Sequence, residues 1–214
     1  MSTDPRLARP EWRGRTNVDA LTIACIEHAE QIALLRTPQL AHQFVVTQGS
    51  YQAGHGDPKS AGTHDLGGVV DLRWCGHVTC IRALREAGFA AWHRTPPQGD
   101  WPDHIHAVVI GHPMLANVAE EQVDDYLIGR NGLAHSGLDD GPRLSPIPRP
   151  VWPWPPTKKR PAAVRAAIKA AELAIAAIEA ALAKSPGPVQ TDRLTRALAK
   201  QRDALARLRE VQKR

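Results

Sequence analysis

The sequence predicts an α+β protein: a small, mainly antiparallel sheet with flanking helices, followed by a C-terminal α-helical hairpin or coiled coil. Three observations carry this. Short β-branched or apolar runs at 44–48, 69–73, 89–93 and 104–110 alternate with stretches of helical periodicity. A segment at 142–161 holds eight prolines, which exclude a regular helix or a central strand. Beyond it, Val164, Ile168, Ala171, Ile175, Ile178 and Leu182 recur at spacings of four and three, the rhythm of a heptad seam.

The elements follow in order. Residues 1–15 are polar and rich in Pro and Arg and read as a loose arm. Residues 16–37 read as a helix, with Thr16 and Asp19 as a capping-box-like start and Val18, Leu21, Cys25, Ile32 and Leu35 as its apolar stripe. A Gly-rich loop at 50–68 leads from the first strand to the second. A helix near 78–87 is stopped by Gly88, and a Pro-rich loop at 95–102 is placed to wall a cleft. A helix at 119–127 closes the domain, which spans 16–141. The segment 142–161 reads as an extended linker whose Trp152 and Trp154 either pack back on the domain or stack on sugar rings. The tail, 162–214, is broken at Ser185-Pro186-Gly187-Pro188. Its seam resumes at Leu194, Leu198, Gln201, Leu205 and Leu208, so it closes on itself as a hairpin or associates as a coiled coil.

Composition bounds the rest. The chain has 214 residues, 43% hydrophobic and 23% charged, ordinary values for a soluble protein. No run approaches the roughly twenty apolar residues that span a bilayer. The first residues lack the apolar core of a signal peptide, so the expected site of residence is a cytoplasm. Cys25, Cys75 and Cys80 are odd in number and fit no disulfide framework, so they are expected as reduced, mostly buried thiols. From Thr157 onward 14 Lys/Arg oppose 5 Asp/Glu, a net of +9. The remainder holds 13 against 17, a net of −4, and the two parts return the overall +5. A basic tail favours polyanions such as wall polymers or anionic lipid. No base-reading motif is present, so sequence-specific nucleic-acid binding is not expected.

The chemistry concentrates in two segments, 60–71 and 103–106. Gly67-Gly68 marks a sharp turn or a close backbone approach, with His64 in the loop before it and Asp71 on the strand after it. On a strand, residues two apart share a face, so His104 and His106 point the same way and Ile105 the other. His64, Asp71 and His106 can thus close on one zinc ion, two imidazoles and a carboxylate leaving a fourth position open. His104 is then beside the metal with a proton to move. The chain has ten histidines. His28, His42, His77, His93, His112 and His135 read as helix surface, strand end or loop, and His55, within the Gly-rich loop, is a minor candidate for touching the site.

The pattern His64-x-x-Gly67-x-x-x-Asp71 followed by His104-x-His106 resembles the zinc peptidases that cut bacterial cell-wall peptides. These are the D-alanyl-D-alanine carboxypeptidases and L-alanyl-D-glutamate endopeptidases, whose structural relatives are hedgehog-type domains. The resemblance covers roughly residues 40–142 and is nearest to versions from phages of actinobacteria, where a Gly129-to-Ala134-like segment, Gly-Arg-Asn-Gly-Leu-Ala, recurs. It implies a hedgehog-like fold, zinc on His64, Asp71 and His106, and hydrolysis of peptidoglycan stem peptides, as in a phage lysin. The family's general base is a Glu three residues before the last ligand or the first His of His-x-His. Here Asp103 stands in the Glu position, so His104 is taken as the acid/base and Asp103 as the alternative. Several relatives carry an oxyanion-stabilising Arg on the strand before the first ligand, where this chain has Gln48. Gln48, Ser50 and Tyr51 are placed to bind substrate carbonyl or carboxylate groups. Other readings are a virion or tail protein whose peptidase-like domain binds wall peptide, and a zinc-stabilised module without catalysis. The C-terminal helices would then serve self-association or docking on a virion partner.

Overall fold

The computed structural model describes residues 4–37, 43–54, 60, 62–134, 137–153, 162–184 and 187–213. His42, His55, His135, Trp154 and the Ser185-Pro186 break lie outside these residues. The chain divides into two compact units. One comprises Met1–Ile32 and Gln43–Thr157, the other Ala33–His42 and Lys158–Arg214.

The first unit is α+β, as expected. Its strands are β1 (Val46–Gln48), β2 (Val69–Arg73), β3 (Phe89–Arg94) and β4 (His104–Val109), and the sheet order is β1-β2-β4-β3 with every pair antiparallel. Helix α1 (Ala20–Arg36) precedes the sheet, α2 (Val78–Glu86) links β2 to β3, and α3 (Asn117–Leu127) follows β4.

Alternation along the strands sorts the side chains into two cores. Val70, Leu72, Phe89, Ala91, Ile105, Ala107 and Val109 face Ile26, Ala29, Ile81 and Leu84 from α1 and α2. Val69, Ala90, Trp92 and Val108 face Ala119, Val123 and Tyr126 from α3. The residues of this second face that lie beyond its apolar part on β2, β3 and β4 are Asp71, Arg73, Arg94, His104 and His106, so the sheet delivers the chemistry to one side.

Helix α1 starts later than its sequence suggests. The Asp19 carboxylate, not Thr16, caps it, accepting the Thr22 backbone N–H at 2.9 Å. At the end of α2, Gly88 adopts φ +99°, and the backbone of Pro150 lies 2.4 Å from where a side chain would begin. Residues before α1 are anchored rather than loose: Trp12 donates to Glu27 and Arg13 pairs with Glu30 at 2.7 Å. Residues 142–153 also lie along this unit. Arg143 donates to the Tyr126 and Leu127 carbonyls, and Trp152 packs on the larger core.

The cysteines depart from expectation. Cys75 and Cys80 form a disulfide, because the turn at Gly76-His77 and the start of α2 fold the chain back until the two Cα atoms are 6.7 Å apart. Cys25 is a free, buried thiol, and burial pushes it up to about 12.

In the second unit, α4 (Ala162–Leu182) and α5 (Pro188–Lys213) pack antiparallel. Ile168, Ala171, Ile175, Leu205 and Leu208 form the seam together with Leu34. Glu179–Arg202 and Glu172–Arg209 bridge the two helices on the surface. Among the described residues no helix is long and apolar enough to cross a membrane.

Two stability measurements follow. Arg85 is fully buried, donates to the Ala91 and Pro142 carbonyls and pairs with Asp139 at 2.8 Å. Arg85→Met strands that carboxylate and is expected to cost about 3–5 kcal/mol in urea unfolding, whereas Arg82→Ala on the exposed face of α2 costs under about 1 kcal/mol. Burial of His28 lowers its pKa to about 4. The unfolded chain therefore binds the extra proton first, so stability present above about 6.5 is lost as pH falls toward 4. The urea midpoint should fall over that window, and less steeply in His28→Gln.

Candidate metal centre

Register builds the centre. Asp71 on β2 pairs with His106 on β4, which pairs with Trp92 on β3; one step along, Arg73, His104 and Arg94 form the next row. The loop before β2 adds His64. Its turn is held from several sides: Gly67 donates to the Met114 carbonyl, Gly68 to Asp19 Oδ2, and Val69 to Ser50 Oγ. Gly68 has φ +81° with His112 and Leu115 packed where a side chain would stand. His112, expected in a loop or at a surface, is buried with its Nε2 3.1 Å from Asp19 Oδ1. The helix cap and the site turn thus share one carboxylate.

Three imidazoles converge on Asp71 Oδ1: His106 Nδ1 at 2.8 Å, His64 Nε2 at 3.5 Å and His104 Nε2 at 3.7 Å. The ligand atoms of His64, Asp71 and His106 all lie within 4.8 Å of one another. The far side of each ring settles its proton. His64 Nδ1 is 3.0 Å from the Gly49 carbonyl and His104 Nδ1 is 2.7 Å from the Pro102 carbonyl. A carbonyl only accepts, so in each ring Nδ1 carries a proton toward the carbonyl and Nε2 is the atom that faces Asp71. His106 is flanked by two acceptors, Asp71 Oδ1 and Gln122 Oε1, each at 2.8 Å. One ring nitrogen of His106 thus meets a carboxylate and the other an amide, so both edges of the ring are held in place. Burial pushes His106 down, and Asp71 offsets this only in part. Burial also pushes the Asp71 carboxyl up, but its contacts with His106 and His64 outweigh that and leave it well below the usual carboxylate range. Two imidazoles and an ionised carboxylate, with the outer ring nitrogens of His64 and His106 held by Gly49 and Gln122, are a donor set that suits a divalent metal.

The centre opens on a cleft of about 930 Å³, walled by Gln98 to Pro102 from the Pro-rich loop and by Val118, Glu121, Gln122 and Asp125 of α3. Gln48 lines it and donates to Ser60 Oγ at 2.8 Å. Ser50 and Tyr51 are not among its described lining residues. The buried Ser50 hydroxyl donates to the Val69 carbonyl, and the Tyr51 hydroxyl donates to Asp19. Asp103 is at the rim, its carboxylate 3.3 Å from His93 Nε2 and directed away from Asp71.

Two residues absent from the sequence reading belong here. Gln122 holds His106, and its signal is a polar residue on the stripe Ala119–Val123–Tyr126 of α3. Arg94 follows Ala90 and Trp92 on the same strand face and lines the cleft.

No family model matches this chain, and no curated protein or solved structure matches it either.

Zinc titration should give one high-affinity site. At a free zinc concentration of about 1,000 times Kd the fold gains about 4 kcal/mol, read as a higher unfolding temperature that a chelator reverses. His64→Ala and Asp71→Asn should remove the site, and Gln122→Leu should weaken it about 10- to 100-fold in calorimetry.

Proposed function

We propose that the first unit is a zinc-dependent peptidase, hedgehog-like in fold, that cleaves peptide bonds in bacterial peptidoglycan stem peptides and acts as a phage lysin. The observation that carries this reading is the His64–Asp71–His106 group with His104 Nε2 3.7 Å from Asp71 Oδ1, at the base of an open cleft. The sequence resemblance to wall peptidases supplies the substrate class.

His64, Asp71 and His106 would hold the ion. Zinc bound there supplies Lewis acidity toward a carbonyl and a water nucleophile at neutral pH. His104 is the proton carrier: its Nδ1–H is committed to Pro102, so Nε2 is free to take a proton and return it to the leaving amine. Asp103 does not share this role, since His93 faces its carboxylate. Gln48 lines the cleft with its amide N–H groups given to Ser60 and Gln52, so a substrate oxygen would have to displace one of them to be bound there. The basic helical pair of the second unit serves retention on an anionic wall or membrane surface, or association as a coiled coil.

The test is release of new amino groups from purified actinobacterial peptidoglycan. Wild type should be active with zinc and silent with chelator. His104→Ala should lose about 10²- to 10⁴-fold in kcat, while Asp103→Asn should stay within about tenfold. A zinc-loaded, folded protein that releases nothing removes the enzyme and favours a wall-binding module.

A further inference from the structure

Arg94 ends β3 with only 3% of its surface exposed. Its Nη1 donates to the Asn131 carbonyl at 2.8 Å and its guanidinium lies 5.0 Å over the Trp92 ring. Its Nη2 is buried with no hydrogen-bond partner. Arg85 shows how this fold treats an arginine that is only structural: its Nε, Nη1 and Nη2 all donate to protein oxygens. Arg94 differs in keeping Nη2 unpartnered while the residue lines the cleft. Burial lowers it to about 10, so it stays charged at neutral pH. Among the described lining residues it is the one Lys or Arg, in a wall that otherwise carries Asp71, Asp100, Asp103, Glu121 and Asp125. Apart from the metal that His64, Asp71 and His106 would hold, an anion entering this acidic cleft meets Arg94 as its fixed cationic side chain. Arg94 pairs with His104, one strand repeat of about 6.6 Å beyond the row Asp71–His106–Trp92. That offset suits a group next to the scissile bond rather than the reacting carbonyl.

We infer that Arg94 is a carboxylate receptor, which makes free-acid stem peptides the substrate class of this site. The inference rests on the peptidase reading for its substrate, and the planar fork of the guanidinium matches the two oxygens of a carboxylate.

The test uses zinc-loaded full chain and three forms of one stem peptide: the free acid, the C-terminal carboxamide, and the form amidated at the internal D-glutamyl α-carboxylate. Wild type should lose about 100-fold or more in kcat/KM on amidation at one of the two positions, which names the carboxylate. In Arg94→Met, acid and amide should react within about threefold of each other, and Arg94→Lys should keep part of the preference. An unchanged zinc Kd shows that each variant keeps its fold and metal group. Wild type that ignores amidation overturns the inference. So does an Arg94→Met protein that slows on all three peptides equally while keeping the preference, which would put Arg94 on the oxyanion. Peptide binding by calorimetry needs no turnover. Acid-selective binding that Arg94→Met abolishes, without any hydrolysis, keeps the receptor and removes the peptidase.

Discussion

The antiparallel register of β2 on β4 is the constraint on which the centre depends. Asp71 faces His106 because these two strands pair as they do, and a slip of one residue would send every side chain of β2 to the opposite face. Asp71 would then enter the apolar core beside Leu84 and Phe89, and Val70 would face the imidazoles. Burial of Val70, Leu72, Ile105 and Ala107 on one face therefore fixes the polar group on the other. The turn that feeds β2 is locked in the same sense, since Gly68 and the α1 cap both draw on Asp19.

Buried charge in the first unit is handled in contrasting ways, and the contrasts separate support from chemistry. Asp19 is saturated by Thr22, Tyr51, Gly68 and His112, all local to the turn it holds. Arg85 is saturated by carbonyls and Asp139, tying α2 to β3 and to the chain after α3. Asp71 is instead ringed by three imidazole nitrogens at the foot of an open cleft. Carboxylate and imidazole ligand atoms gathered within 4.8 Å can close on one metal ion. The outer contacts of the rings, to Gly49, Pro102 and Gln122, hold them in place.

The second unit follows simpler rules. Its seam of Ile168, Ala171, Ile175, Leu205 and Leu208 is narrow, and its ion pairs are exposed and worth little individually. Ala-rich α4 and charge-rich α5 have high intrinsic helix propensity, which suits helices with so thin a core.

Much of the first unit could be read from local pattern. The span of β2, the face shared by His104 and His106, and the stop at Gly88 depend on periodicity of two, on β-branching and on glycine's access to positive φ, all properties of residues near in sequence. That His64, Asp71 and His106 come together was legible because the glycine turn and the His-x-His strand fix local orientation. What the sequence left open was decided by contacts between distant segments. Sequence starts the first helix at Thr16 with Asp19 as the box partner, whereas Asp19 itself caps it and also holds Gly68 and His112 from distant segments. The spacing of Cys75 and Cys80 matches no framework, and the turn into α2 is what joins them. Ser50 and Tyr51 look like site residues from their position, yet β2 and α1 take their hydroxyls. Gln122 and Arg94 became part of the site only when α3 and β3 packed beside β4. Side-chain direction is set within a few residues, whereas the identity of a neighbour is set by pairing and packing across the whole fold.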